Sequence, residues 1–265
     1  MSDIPEKDHG RIVMCAPTGV AAFNIGCGAA SVHKTFNIPV KGDLKELTGE
    51  KQKQLELAFE NVWLIIIDEI SMVGCEMFAK VNERLILAKL DENHIISKAQ
   101  KDPSLLRPTF GGLGMVTCGD FGQLIPIMQH SLMDNIRLPI YDASKQKDRF
   151  TNKGKDLIEQ FKITIILKKQ HRQNQGEYNK LCLKFRDGSF LPQDHVLLEK
   201  RNYDHLSLEE KNQLVNYGTR LVTTNKQAGN WNAKMLISKA KEQNNNIFSI
   251  QACETGNKGK AVTTL

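Results

Sequence analysis

Apolar residues along the chain are concentrated in short continuous runs, and polar residues follow each run directly. The clearest run, Leu64–Ile67, shows no alternation of apolar and polar positions, and Asp68 and Glu69 come immediately after it. A β-branched run of this kind predicts a strand that is buried on both faces, which is typical of a parallel sheet covered by helices. Shorter runs predict further strands at Ile12–Cys15, before Gly119, before His171 and before Thr223.

Segments with the spacing of helices lie between these strands. After Glu69, the apolar positions Met77, Val81 and Leu85 follow one another at helical spacing. A second helical segment precedes Gly188, and glycine is the residue that most often ends helices. Strands that alternate with helices predict a layered α/β protein with a parallel sheet.

Polar clusters stand at the carboxyl ends of the predicted strands. Because these ends meet at one edge of a parallel sheet, we expect the clusters to form one site. A lone acidic pair after a strand is also common where an ordinary strand leaves the core, but five polar strand ends are harder to explain in that way. The clusters are Pro17-Thr18-Gly19, Asp68-Glu69, Asp120 with Gln123, His171-Arg172-Gln173 and Thr223-Thr224-Asn225.

The residue types in these clusters fit the binding and hydrolysis of a nucleoside triphosphate. Asp68 can hold Mg²⁺ through its water shell, and Glu69 can polarise the attacking water. Gln123 can sense the terminal phosphate, while Arg172 can neutralise the charge that grows in the transition state. Arg172 also follows a pair of lysines closely, so a solvated basic surface is an alternative interpretation.

Composition narrows the class of protein without deciding it. The chain has 265 residues, a net charge of +6 and a pI of about 8.9, which permits binding to a polyanion but does not require it. The six cysteines include no C-x-x-C pair, which argues against a zinc site and a disulfide framework. Most of them are expected to be buried thiols in an intracellular protein. The first residues lack the apolar core of a signal peptide, and no apolar stretch is long enough to span a membrane.

Several motifs resemble, in order, those of the Pif (petite integration frequency) family of 5′-to-3′ DNA helicases. The resemblance extends from about Arg11 to Leu236. The Asp-Glu motif alone is weak support, but the ordered set is specific. The matching segments are APTGVAAFNIGCGAASVHKTFNIP, LIIIDEISMVG, FGGLGMVTCGDFGQLIPI, LKKQHRQ with LCLKFRDGSF, and RLVTTNKQAGNWN.

The resemblance implies a function and a role for individual residues. It implies an ATP-dependent DNA helicase that requires Mg²⁺, binds single-stranded DNA and serves DNA repair, recombination or telomere maintenance. The protein is expected to be intracellular, in the nucleus or mitochondrion if it is eukaryotic. Asp68 then corresponds to the Mg²⁺-side carboxylate and Glu69 to the catalytic base. Gln123 corresponds to the phosphate sensor and Arg172 to the arginine of the fourth motif. The positions that the resemblance assigns to DNA contact are Pro17, Thr18, Gly19, His33, Thr223 and Asn225.

The family also has a phosphate-binding loop, G-x-x-x-x-G-K-[ST], which does not occur in these 265 residues. The last helicase motif is not recognisable either. We therefore expect this chain alone to be inactive and to leave one edge of its sheet exposed. The alternative is a fragment or degenerate helicase-like protein that binds single-stranded DNA or a partner without hydrolysing ATP.

The expected architecture is two RecA-like domains, each a parallel sheet with flanking helices. Residues 1–165 are expected to form a first domain that lacks the strand and helix around its phosphate-binding loop. Residues 166–265 are expected to form part of a second RecA-like domain. Trp63 and Trp231 are expected in the cores rather than as platforms for stacked bases.

Overall fold

A parallel sheet with the strand order β2-β1-β3-β4 forms the centre of the first part of the chain. The computed structural model describes residues 12–89, 108–135, 137–139, 145–169, 171 and 176–248, with the backbone of 253–255 and 261–263. Ile12 of β1 is in register with Leu64 of β3, which is in register with Gly114 of β4. The predicted parallel α/β sheet is therefore confirmed. Its strands are β1 Ile12–Ala16, β2 Ala30–Ser31, β3 Leu64–Ile67 and β4 Gly114–Thr117.

Helices flank this sheet and continue through the second part of the chain. The helix predicted after Glu69 is present as α4, and the one predicted before Gly188 is present as α6. None of the helices in the described residues combines the length and apolar character that a membrane span needs. The helices are α1 Gly19–Ile25, α2 Val32–Thr35, α3 Glu50–Phe59, α4 Cys75–Ala88, α5 Gln146–Ile158, α6 Glu177–Asp187, α7 Pro192–Glu199, α8 Leu208–Tyr217 and α9 Asn225–Glu242.

The core lies where α4 packs between the sheet and α5. Val81 and Leu85 of α4 are completely buried and Met77 is buried, as their helical spacing predicts, and Phe78 of the same helix is also completely buried. A Cβ added at Gly154 of α5 would lie 2.1 Å from the carbonyl oxygen of Cys75. The two helix backbones are therefore in direct contact at Cys75, the first residue of α4.

The strands expected before His171 and Thr223 are not formed. Residues 162–169 and 219–222 have no regular secondary structure, and Leu167 and Leu221 are 90% and 91% exposed. A strand is stable only where a neighbouring strand takes up its backbone hydrogen bonds, and neither segment has such a neighbour in the described residues. Among the described residues, β4 likewise pairs with β3 alone, so no described strand lies along its other edge.

Two compact units divide the chain, Met1–Arg172 and Gln173–Leu265. In the described part of the second unit, helices α6–α9 accompany one antiparallel pair, β5 Cys253–Thr255 with β6 Ala261–Thr263. Helix α6 ends at Asp187 and is followed by Gly188, whose φ of 68° lies in the left-handed region that glycine adopts without strain.

Two expectations about individual side chains are wrong. Trp63 is 54% exposed and Trp231 is half-buried, so neither is a core residue. Burial also varies among the cysteines, and three are not the buried thiols that their apolar surroundings predict. Cys15 and Cys75 are buried, whereas Cys27, Cys118 and Cys182 are exposed.

Candidate functional site

Backbone hydrogen bonds tie the carboxyl ends of three strands together. The N–H of Asp68 donates to the carbonyl of Cys15 at 2.9 Å, which joins the end of β3 to β1. On the other side, the N–H of Cys118 donates to Ile67 at 2.8 Å, and the N–H of Ile70 donates back to Cys118 at 2.9 Å. The acidic pair therefore lies between two other strand ends that hold its backbone on both sides.

Glu69 has a backbone conformation that is rare for a residue with a side chain. Its φ of 53° and ψ of 44° lie in the left-handed region, which costs a non-glycine residue about 1 kcal/mol or more. Its N–H donates to Oδ1 of Asp68 at 2.9 Å, so one carboxylate oxygen of the pair is held by the backbone of the other member. The hydrogen bonds of the neighbouring residues maintain this conformation and thereby set the direction of the Glu69 side chain.

Gly119 packs directly against this strained turn. A Cβ at position 119 would lie 2.8 Å from the backbone nitrogen of Ile70 and 3.4 Å from the carbonyl carbon of Glu69. The φ of Gly119 is +154°, a value that side-chain-bearing residues rarely adopt. The absence of a side chain at 119 lets the end of β4 approach the turn that carries Glu69.

Thr18 begins helix α1 at the end of β1. Its Oγ1 accepts a hydrogen bond from the N–H of Ala21 at 3.1 Å, which makes it the N-cap of α1. Pro17 precedes it, and Gly19 is the first residue of the helix and is exposed. This turn directs the amino end of α1 towards the same edge of the sheet as the acidic pair.

A cleft of about 400 Å³ brings four of the predicted polar side chains together. Asp68 and Glu69 are half-buried in its wall, while Gln123 is exposed at its rim. Asp120 precedes Gln123 in the same loop, and its Oδ2 lies 3.5 Å from Nε2 of Gln123. The lining residues are Thr18, Val20, Ala21, Asn24, Ile25, Asp68, Glu69, Met72, Gln123 and Leu124.

Sequence comparisons decide the family. The profile of the family described as PIF1-like helicase matches residues 1–195. The chain belongs to the PIF1-like helicase family. It is 34% identical over 114 residues to the ATP-dependent DNA helicase PIF3 of Trypanosoma brucei, an alignment that covers 43% of this chain and 12% of that protein. It is 30% identical over 171 residues to the ATP-dependent DNA helicase PIF1 of Saccharomyces cerevisiae, covering 62% of this chain and 16% of that protein. The chain thus spans less than a quarter of the length of these PIF relatives.

A solved structure supports the RecA-like fold of this PIF1-like chain. It is the crystal structure of the Pif1 helicase from Bacteroides in complex with ADP-AlF3 and single-stranded DNA. The two chains superpose with a TM-score of 0.51 at 19% identity, over 94% of this chain and 52% of that one. At this identity the similarity establishes the fold alone, and the chemistry has to be inferred from the residues of the cleft.

His33, Thr223 and Asn225 are not among the residues that line this cleft. Nδ1 of His33 in α2 lies 3.2 Å from the carbonyl oxygen of Ile38. Because a carbonyl only accepts, this nitrogen carries the proton. Thr223 and Asn225 lie in the second unit, where Thr224 caps helix α9 and Asn225 is its first residue. Arg172 lies outside the described residues.

The carboxylates of the cleft suit a magnesium ion that arrives with a nucleotide. In the described residues, no three His, Cys, Asp or Glu side chains are grouped as a protein cage for a metal. Mg²⁺ usually keeps several waters and takes one or two carboxylates together with substrate phosphates. Asp68 and Glu69, half-buried and adjacent, offer that limited donor set.

Three features of the cleft were missed by reasoning from the sequence. Asn24, Met72 and Leu124 line it, although their motif positions carry no chemical signal. The contact of Gly119 with the Glu69 turn depends on the spacing of two strands in space. Although Cys118 is exposed as a whole residue, the pKa of its thiol is raised, first by partial burial and then by the negative charge of Asp68.

Proposed function

We propose that this chain is part of an ATP-dependent DNA helicase that translocates 5′-to-3′ and requires Mg²⁺. The observation that carries the proposal is the cleft at the carboxyl edge of the sheet, where Asp68, Glu69, Thr18 and Gln123 meet in a member of the PIF1-like helicase family. Because the chain covers only a part of its relatives, hydrolysis and unwinding belong to the proposal. The direction of movement rests on the resemblance alone.

The acidic pair would divide the chemistry of hydrolysis between its two members. Asp68 would hold Mg²⁺ through water, and the ion would supply positive charge that offsets the charge of the ATP phosphates. Glu69 would take a proton from the attacking water, and its constrained backbone supports this role because a base must be held in a fixed position. Gln123, whose side chain is exposed at the rim of the cleft, would contact the terminal phosphate.

Arg172 would neutralise part of the negative charge that develops on the γ-phosphate in the transition state. A guanidinium that approaches the γ-phosphate stabilises the charge of the transition state, and such arginines contribute large rate factors in phosphoryl transfer. The role follows from the position of Arg172 in its motif. We propose the same division into RecA-like domains as the sequence predicts, 1–165 and 166–265.

Single-stranded DNA would contact both domains through short polar groups. At the end of β1, the turn at Pro17, Thr18 and Gly19 exposes backbone and hydroxyl groups that can meet phosphates without reading bases. Thr223 and Asn225 at the start of α9 would do the same. Since Nδ1 of His33 is used by Ile38, the Nε2 atom is the part of this ring that would face DNA.

The experiment that tests the proposal separates binding from hydrolysis. Glu69→Gln is introduced into this chain after a phosphate-binding loop from a close relative has been joined ahead of Arg11. The variant should bind ATP normally, while single-turnover hydrolysis falls by about two orders of magnitude or more, the size expected for a lost general base. Hydrolysis at a near-normal rate in this variant would remove Glu69 from the mechanism.

A second candidate function is single-stranded DNA binding without hydrolysis. It is favoured by one observation, that the printed sequence contains no G-x-x-x-x-G-K-[ST] loop to cradle the β- and γ-phosphates. In this form the 265 residues would bind DNA and turn over no ATP. For the helicase we propose a role in DNA repair, recombination or telomere maintenance inside the cell, in the nucleus or mitochondrion if the protein is eukaryotic.

A further inference from the structure

The second unit contains a cleft of its own, formed between helix α9 and the extended stretch that leads into it. Its volume of about 480 Å³ is within the range of small-molecule sites. Thr223 is the one residue in it to which the family resemblance gives a role. The lining residues are Arg220, Leu221, Val222, Thr223, Gln227, Asn230, Trp231 and Lys234.

An aromatic ring flanked by two cations distinguishes this cleft. The guanidinium carbon of Arg220 lies 4.4 Å from the centroid of the Trp231 ring, and Nζ of Lys234 lies 5.8 Å from it. Both distances are within the range in which an indole face attracts a cation. The ring is half-buried and therefore presents part of its surface to the open cleft.

The charge around the ring is of one sign. No Asp or Glu occurs between Lys211 and Lys241. In the part of the chain that the structure describes, neither Arg220 nor Lys234 has a carboxylate within ion-pair distance, so both cations keep their charge available. The basic residues of this stretch are Lys211, Arg220, Lys226, Lys234, Lys239 and Lys241.

A ligand that suits this arrangement has a flat aromatic part joined closely to an anion. A nucleotide has both, because one sugar links its base to its phosphate. The neutral polar groups of Thr223, Gln227 and Asn230 can bond to sugar or phosphate oxygens without repelling them. Base stacking on an aromatic ring tolerates every base, since each base has a π-face.

We propose that this cleft binds one nucleotide of single-stranded DNA, with the base stacked on Trp231 in place of the Arg220 guanidinium, which then contacts the phosphate together with Lys234. The site deepens the DNA-binding part of the proposed function and rests on it. It adds a stacking platform beside Thr223 and the start of α9, where the resemblance implies only backbone contacts. The contact is independent of sequence and is weakened by salt.

The two tryptophans of the chain allow the site to be observed directly. Trp63→Phe leaves Trp231 as the only tryptophan, and Trp231→Phe leaves Trp63, which is 54% exposed in the other unit and serves as the matched control. Titration with oligothymidylate should quench the fluorescence of Trp231 to saturation, because a stacked base quenches an indole. The fluorescence of Trp63 should change little.

Affinity measurements test the energetic role of the ring and the cations. Trp231→Ala should weaken oligothymidylate binding about tenfold, whereas Trp231→Phe keeps a stacking face and most of the affinity. Arg220→Ala should lower the slope of log K against log salt concentration by about 0.7, the value for one phosphate contact on a single strand. Lys211→Ala is the control, because Lys211 lies beside the ring of Tyr203, outside the cleft.

The outcomes separate this site from the wider function. If oligothymidylate binds without quenching Trp231, and Trp231→Ala binds equally well, the nucleotide site is refuted while DNA binding by the chain stands. An oligonucleotide with abasic sugars that quenches and binds as well as oligothymidylate also refutes base stacking. If no oligonucleotide binds, the site and the DNA-binding part of the proposed function are both refuted, and the hydrolysis test of Glu69→Gln is unaffected.

Discussion

Gly119→Ala is the substitution that tests most sharply how the acidic pair is held. The new Cβ would lie 2.8 Å from the backbone nitrogen of Ile70, whereas ordinary contacts begin near 3.4 Å. The two backbones must therefore separate by about 0.6 Å, which stretches the 2.9 Å hydrogen bond from Ile70 to Cys118 beyond a useful length. Overpacking costs about 1–3 kcal/mol, and the weakened hydrogen bond about 1 kcal/mol more. The expected loss in the free energy of unfolding is about 2–4 kcal/mol.

Urea unfolding measures this loss in the first unit. Trp63 directly precedes β3 and accepts a hydrogen bond from Gly114, so its fluorescence reports the sheet in a Trp231→Phe background. The unfolding midpoint of Gly119→Ala should fall by about 1 M or more. Gly19→Ala is the matched control, because no atom lies within 4 Å of a Cβ at that position. If Gly119→Ala unfolds at the same urea concentration as this control, the close packing of Gly119 against the Glu69 turn is not a constraint.

Two further predictions concern the predicted DNA contacts of the first unit and the charge of Asp68. Replacing Thr18 and His33 together by Ala should weaken binding to single-stranded DNA about tenfold in a fluorescence titration, because two polar contacts are lost. Thr18→Ser with His33 intact keeps the hydroxyl cap of α1 and serves as the control. Unchanged affinity of the double variant would exclude these DNA contacts. The pKa of Cys118 is raised by burial and by the charge of Asp68, so less of the thiol is ionised at a given pH. Asp68→Asn removes that charge and should therefore lower the pKa and speed the alkylation of Cys118 at constant pH, as measured by mass spectrometry of the labelled peptide. An unchanged alkylation rate would show that Asp68 does not act on this thiol.

The elements that could be predicted from the sequence are those whose burial leaves a pattern. β3 is buried on both faces, so Leu64–Ile67 has no polar position and its end at Asp68 is clear. The buried face of α4 likewise appears as apolar residues at helical spacing. The meeting of Thr18, Asp68 and Gln123 at one cleft followed from the rule that parallel strands end at one edge.

Features that depend on a neighbour in space could not be predicted in this way. Residues 162–169 have the composition of a strand, yet pairing requires a second strand beside them, which no local pattern reveals. The approach of Gly119 to Ile70 is a distance between two strand ends. Trp231 lines a cleft, with the cationic groups of Arg220 and Lys234 close to its ring, whereas its hydrophobicity alone suggested a place in the core.

The measurement that tests the central claim most directly is DNA-stimulated ATP hydrolysis by this chain, with and without an added phosphate-binding loop and last helicase motif. Residues 1–265 as printed should show none, because phosphoryl transfer depends on positioning and charge stabilisation that the loop supplies. The completed chain should hydrolyse ATP when single-stranded DNA is added, and Glu69→Gln should abolish that activity. DNA-stimulated turnover by the unmodified chain that is lost in Glu69→Gln, or turnover by the completed chain that Glu69→Gln leaves intact, would contradict this account.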